Sequence, residues 1–196
     1  MKKFIALLGL ILLSANTILF AQESNVTPRD ADRKAEKKAE KSKLRAEKEA
    51  EERATYELAL QALNNKRFVL EADQVIFRNG TNLYVTSNTN FVSMHDSIAT
   101  VQTAFNTPYL GANGLGGITL DGNVSNLKMT VDKKGNVNCS FNVQGSSISA
   151  QVFITMSYGG NNASVTISPN FSSNNLTLNG KIIPLEESRI FKGRSL

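Results

Sequence analysis

Apolar and polar residues alternate through much of the second half of the chain. Val137, Cys139, Phe141 and Val143 alternate with Asn138, Ser140 and Asn142, and Ile148, Ala150, Val152, Ile154 and Met156 continue the same period. Successive side chains of a strand point to opposite faces, so a period of two predicts strands with one apolar and one polar face. Leu127, Met129 and Val131 form an earlier row, and the Gly-containing turn Asp132 to Asn136 joins it to the Val137 row as a hairpin. Tyr158-Gly159-Gly160-Asn161-Asn162 is the next turn, and Ala163, Val165 and Ile167 are the inward set after it. Leu176 and Leu178 follow, with Asn179-Gly180 predicted as a tight turn into Lys181 to Leu185. Upstream, Phe68 to Phe77, then Asn79-Gly80, then Leu83 to Thr86 read as another hairpin, and Ile98 to Phe105 as a further strand. Eight or nine short strands with turns every ten residues or so predict a mainly β domain. Its expected form is an antiparallel meander making a small barrel or sandwich.

A different pattern precedes these strands. From Arg29 to Arg67 the chain is dense in Lys, Arg, Glu and Ala and contains no Gly or Pro. Thr27 stands at an N-cap position, Pro28 at the first helical position and Asp30 at the third, which predicts a helix start. Opposite charges recur at helical spacing in Asp30/Lys34, Lys43/Glu47, Arg45/Glu49, Lys48/Glu52 and Glu49/Arg53, each pair adding about 0.2–0.5 kcal/mol. Alanines 31, 35 and 39, then 46, 50 and 54, step by four and wind around the cylinder, so there is no coiled-coil seam. A long, charged, solvated helical stalk is expected. Tyr56, Ala59, Leu60 and Leu63 then make one apolar face, which predicts that this end docks on the β domain.

The first residues add an address. Lys2 and Lys3 precede the apolar run Phe4 to Leu13 and the weaker stretch Ser14 to Phe20, the form of a secretory signal cut after Ala21. The run is too short, and too interrupted by Ser14, Asn16 and Thr17, to span a membrane comfortably. No Cys follows it, so no lipoprotein anchor is expected. The expected organisation is a signal peptide over 1–21, a short linker over 22–28, the stalk over 29–66 and the β-rich domain over 67–196. The expected product is exported, periplasmic or secreted, soluble after removal of the leader and without a stable membrane anchor. Net charge is +5, and loss of the two leader lysines leaves +3, a weak bias. Cys139 is the only cysteine, so no internal disulfide can form and stability must come from a core.

Candidate chemistry is sparse. The stretch Gly111-Ala112-Asn113-Gly114-Leu115-Gly116-Gly117 invites a phosphate-loop reading, but no Lys follows and a strand comes next in place of a helix. The glycines are expected to supply positive φ where a loop enters a strand. Were the loop to bind a ligand, backbone N–H groups around Asn113, Gly114, Gly116 and Gly117 would be the means. His95-Asp96-Ser97 holds the only histidine, yet adjacent residues on an extended segment point to opposite faces and do not make a triad. One His and one Cys do not supply a zinc site, and Cys139, in phase with Val137 and Phe141, reads as an inert buried thiol. The stalk's basic residues are interleaved with acids, so no positive stripe forms and no nucleic acid is expected. No cofactor or metal is predicted.

Several stretches in order, Asn113-Gly-Leu-Gly-Gly-Ile-Thr119, Gly122-Asn-Val-Ser125, Asp132-Lys-Lys-Gly-Asn136, Gly180-Lys-Ile-Ile-Pro-Leu185 and Phe191-Lys-Gly193, resemble family 4251 of the domains of unknown function, small exported bacterial proteins. Phe68-Val-Leu-Glu-Ala72 after a charged helix fits as well, and the resemblance extends from about Ala35 to the C-terminus. It implies a leader, a charged helix and a β-rich domain, and no activity. The expected function is therefore a non-enzymatic binding or envelope-associated structural module. Its expected partners are an envelope protein met through the stalk or a small apolar ligand enclosed by the sheet. Two alternatives stand beside it: a hydrolase-like enzyme with a site near His95 and the Gly111–Gly117 loop, and an outer-membrane β-barrel.

Overall fold

A computed structural model describes residues 28–105, 111–146, 148–170 and 174–195. The expected leader, linker and Thr27 cap lie outside the described residues. Helix α1 runs Pro28–Asn64. The chain divides between Ser42 and Lys43, so the last turns of α1 belong with the sheet that follows them. In the first unit the helical side chains from Asp32 to Ser42 are exposed. In the second, residues 43–54 are exposed as well, and of the expected i,i+4 pairs Lys48 and Glu52 meet at 3.7 Å. Burial then starts at Tyr56 and takes in Ala59, Ala62 and Leu63, with Leu60 half-buried, as the apolar spacing predicted.

Nine strands follow: β1 (Arg67–Phe77), β2 (Asn82–Tyr84), β3 (Phe91–His95), β4 (Ile98–Thr103), β5 (Ile118–Val131), β6 (Val137–Gln144), β7 (Ser149–Met156), β8 (Asn162–Pro169) and β9 (Leu176–Pro184). All pair antiparallel. β1 meets β3 over its first half and β2 over its second, so β2 and β3 share one position in the wall. From β3 the order is sequential to β9, and β9 returns to pair with β1 from Phe68↔Pro184 to Phe77↔Leu176. The meander thus closes into an eight-position barrel, which decides the choice between barrel and sandwich. Closure removes the exposed sheet edges that would otherwise template aggregation.

The inward residues are the apolar rows read from the sequence: Val137, Cys139, Phe141 and Val143 on β6, the even positions Ala150 to Met156 on β7, and Ala163, Val165 and Ile167 on β8. Two bulges shift the phase. In β1 the register slips between Ala72 and Gln74, so Phe68, Leu70 and Ala72 point inward before it and Val75 and Phe77 after it. In β5 it slips between Ser125 and Lys128, where Asn126 takes φ +55°; Leu120 and Val124 pack inward before this point, Leu127 and Met129 after it.

Three local expectations change. Asn179-Gly180 is not a turn, because β9 runs unbroken through it; a Cβ on Gly180 would lie 2.0 Å from the Glu71 carbonyl, so the glycine lets β9 approach β1. The strand Phe91–His95 was not predicted. Its first four residues are all buried, so it shows no alternation. Finally, Leu185–Glu187 form a 3-10 turn, after which the tail crosses the outer face of the barrel. Ser188 Oγ donates to Glu71 Oε1 at 2.7 Å, Phe191 N–H donates to the Asn88 carbonyl at 2.7 Å, and Gly193 N–H donates to Gln102 Oε1 at 2.8 Å. This strap covers outward-facing positions of β1, β3, β4 and β5.

The outer-membrane alternative is not favoured. Such barrels carry an apolar band outside and a polar lumen. Here the pattern is reversed: Asn138, Ser140, Asn142 and Gln144 on β6 and Ser164, Thr166 and Ser168 on β8 point outward, opposite the apolar inward rows.

Candidate ligand-binding site at the open end of the barrel

The two ends of the barrel are finished differently. At the end where β1 begins, the last turns of α1 close the interior. The Tyr56 hydroxyl donates to the Gly135 carbonyl at 2.6 Å, and its ring meets Tyr158 edge to face with centroids 5.1 Å apart. Burial, with lesser contributions from Glu57, Tyr158 and Asp132, raises the Tyr56 pKa above its ordinary value. The β5–β6 turn that receives it is held by its own hydrogen bonds. Asp132 Oδ1 accepts from the Lys134 and Asn136 amides at 2.7 and 2.9 Å, and Gly135 takes φ +85° against the Tyr158 ring.

At the other end no helix enters among the described residues. A cavity of about 1040 Å³ opens there, walled by Phe77, Val101, Phe105, Leu120, Ile167 and Leu176. The Phe77 and Phe105 rings are 5.5 Å apart and tilted by 41°. Ile118 and Ile148 line the β5 and β7 side, Ala150 lies deeper, and Thr103 and Pro169 complete the wall. Among the described lining residues, the charged and amide side chains gather on one side: Arg78 and Asn79 follow Phe77, and Asn174 and Asn175 precede Leu176, the residue that pairs with Phe77 where β1 meets β9. A largely apolar, concave site with a few convergent polar groups is the usual form of a small-molecule site, and this volume lies just above the ordinary range of about 300–1,000 Å³. Eight-stranded barrels have an interior just large enough to be filled by side chains or to hold one small ligand. This barrel does the first at one end and leaves room for the second at the other.

The Gly-rich loop lies at the same end, joined to the cavity-lining residues Thr103 and Ile118. Asn113 is buried, and its side chain organises the loop: Nδ2 donates to the Thr103 carbonyl at 2.9 Å and to Thr119 Oγ1 at 3.3 Å, while Oδ1 accepts from the Leu115 and Gly117 amides at 2.9 and 3.0 Å. The N–H groups of Asn113 and Gly114 bond to the Gly117 and Gly111 carbonyls. Gly114 and Gly116 take φ +77° and +83°, and a Cβ on Gly117 would meet the Thr103 carbonyl at 2.0 Å. None of Asn113, Gly114, Gly116 or Gly117 is among the cavity-lining residues described above.

His95 ends β3 at the closed end, paired with Ile98, whereas the Gly-rich loop adjoins Thr103 at the far end of β4. The hydrolase alternative needs one site near both, and the length of β4 separates them by about 17 Å at roughly 3.4 Å per residue. His95 and Asp96 do meet, contrary to the opposite-face expectation: His95 Nε2 is 3.5 Å from Asp96 Oδ2, because Asp96 takes φ +56° and turns its carboxylate back. Both are exposed, and Arg67 competes for the same acid at 3.9 Å while its Nε holds Glu186 at 2.7 Å. Cys139 faces the barrel core, where burial pushes its thiol up to about 11. Among the described residues, no group of three or more His, Cys, Asp or Glu side chains gathers to hold a metal.

A polar cluster that the sequence did not single out lies beneath the strap. Gln102 is fully buried: Nε2 donates to the Thr89 and Phe191 carbonyls at 2.9 and 2.8 Å, and Oε1 accepts from Thr119 Oγ1 and Gly193 N–H, each at 2.8 Å. Asp121 joins through Thr100, Lys192 and Ser195. Burial pushes the Asp121 carboxyl up, but hydrogen bonds from Lys192, Ser195 and Thr100 outweigh it, and the net shift is downward. Polar residues in the outward phase of β4 were the one available signal for this network.

A meander barrel plugged by a helix at one end and open to an apolar cavity at the other is the class these features define. Comparison with known proteins places the chain further. It belongs to the family described as Domain of unknown function (DUF4251), whose profile matches residues 48–182. It is similar to a crystal structure of a DUF4251 family protein from Bacteroides eggerthii DSM 20697, at 56% sequence identity over 76% of this chain and 99% of that one, with a TM-score of 0.64. No curated protein matches. The resemblance seen in the sequence is thus confirmed.

Proposed function

We propose that the chain is a non-catalytic binding module that takes a small apolar ligand into the open end of its barrel. The observation that carries this reading is the cavity of about 1040 Å³ with walls of Phe, Val, Leu and Ile. Apolar ligands gain affinity from the surface they remove from water, and this wall offers that surface with no nucleophile, acid or base among its described lining residues. The strap and the Gln102 network support the same reading, since they lock the outside of β4 and β5 and so preshape the wall. The binding role also accommodates the leader-like start of the chain, which favours an exported module acting outside the cytoplasm; fractionation that leaves all protein with the cytoplasmic pool would end that part.

The test is occupancy. The chain contains no Trp, so Ile148→Trp places a single indole reporter at the cavity wall. An apolar fluorescent probe is expected to quench it saturably, and native mass spectrometry of the wild-type protein is expected to find a retained small molecule. Ala150→Phe fills the cavity from its wall and is expected to weaken probe binding about tenfold or more with the melting temperature kept. Saturable binding that survives this filling, or no binding to the wild type, sinks the proposal.

A further inference from the structure

We infer that the ligand is a single-chain amphiphile with an anionic head, its chain in the cavity and its head on the β1/β9 side of the mouth. This rests on the proposed cavity function and adds the ligand class. Three observations carry it. First, the described lining residues are unevenly divided: Ile118, Leu120 and Ile148 stand on the β5 and β7 side, while Arg78, Asn79, Asn174 and Asn175 gather where β1 and β9 pair. A wholly apolar ligand would gain nothing from that division, whereas a molecule with one polar end is oriented by it.

Second, among the described lining residues the charge has one sign: Arg78 is the one charged residue, and none of the others is a carboxylate that would favour a cationic head. A guanidinium keeps its positive charge whatever else it bonds, and its planar donors match a carboxylate or phosphate oxygen pair. Asn79 and Asn175, whose Oδ1 atoms accept from the Thr81 amide and Ser168 Oγ, can turn their amide nitrogens to the same oxygens and are neutral toward charge.

Third, the depth suits a chain. The cavity runs from this rim past Val101 and Leu120 to Ala150, without a polar side chain at its inner end. A head that must stay hydrated and a tail that must leave water are therefore both satisfied in one pose. Arg78 stands at the rim, where water still reaches the head, so the full cost of burying an ion does not arise.

The experiment compares dodecanoate, dodecanol and dodecyltrimethylammonium, each below its micellar concentration, as competitors of the apolar probe in wild-type, Arg78→Gln and Arg78→Lys proteins. Expected is binding of dodecanoate about tenfold tighter than dodecanol, with the cation weakest. Arg78→Gln is expected to bring dodecanoate within about twofold of dodecanol by weakening dodecanoate far more than dodecanol, and Arg78→Lys to restore most of the preference. Melting curves of both variants check that the mouth stays folded. Equal binding of the three competitors, a preference for the cation, or a dodecanoate preference that survives Arg78→Gln overturns the head-group inference and leaves the cavity reading standing. Failure of every competitor and of the probe overturns both.

Discussion

At the closed end of the barrel, Tyr56, Ala59, Ala62 and Leu63 of α1 complete a core that includes Val137, Ile154 and Met156. At the open end the same eight strands carry equally apolar residues, but no segment among those described fills the space between them. Strand alternation treats the two ends alike. The difference comes from a helix that ends in an apolar face at one end only. What it teaches is that the apolar residues of a small barrel can end in two arrangements: where a plug arrives they complete the core, and where none of the described segments arrives they line a cavity.

The sharpest way to break the comparison is to delete volume on the closed side. Ile154→Ala, at a position with 1% exposure, is expected to cost about 2–5 kcal/mol by urea denaturation, because the packed surroundings relax only partly. A cost below 1 kcal/mol would mean the closed end is no better packed than the mouth. Next, Tyr56→Phe removes the hydroxyl that holds the plug to Gly135 and is expected to cost about 1–1.5 kcal/mol, without changing probe affinity. A matching loss of binding would show that the two ends are coupled.

Loosening the strap should have a smaller effect. Asp121→Asn is expected to cost about 0.5–1 kcal/mol and to speed hydrogen exchange at the Gly193 amide. The pH dependence has a definite sign. The folded pKa of Asp121 lies below its ordinary value, so its contribution is present above the unfolded pKa of about 3.9 and is lost as pH falls through the lower folded value. Acidification below about pH 4 should therefore destabilise the wild type more than the Asp121→Asn protein; equal acid sensitivity would remove Asp121 from the account. Smallest of all is Ile118→Ala at the half-exposed mouth, expected within about 0.5 kcal/mol of wild type. Its effect should appear in probe affinity instead.

Much of the barrel was legible because each strand from β6 to β8 is half-buried, and half-burial writes itself as alternation. Legibility failed where both faces are covered. In β3 the core lies on one side and the C-terminal strap crosses the other, so Phe91 to Met94 are all buried and the period vanishes. It failed again at Asn179-Gly180, where a glycine demanded by the close passage of β1 imitates a turn signal. The candidate site fared worse. Its walls come from residues as distant as Phe77 and Leu176, each of which looks like ordinary core when read in place. The Gly-rich loop is the stretch whose composition stands out, but most of its described N–H groups are engaged within the loop.

By itself the sequence determined the charged helix and its apolar last turns, the meander, the direction in which most strands face and the family. These are local properties, set by period, charge spacing and turn chemistry within a few residues. Only the tertiary structure decided that β9 pairs with β1, that the strap buries Gln102, and that the helix plugs one end and leaves the other open. Those outcomes depend on which distant surfaces meet, and a cavity is the space left after all of them have met.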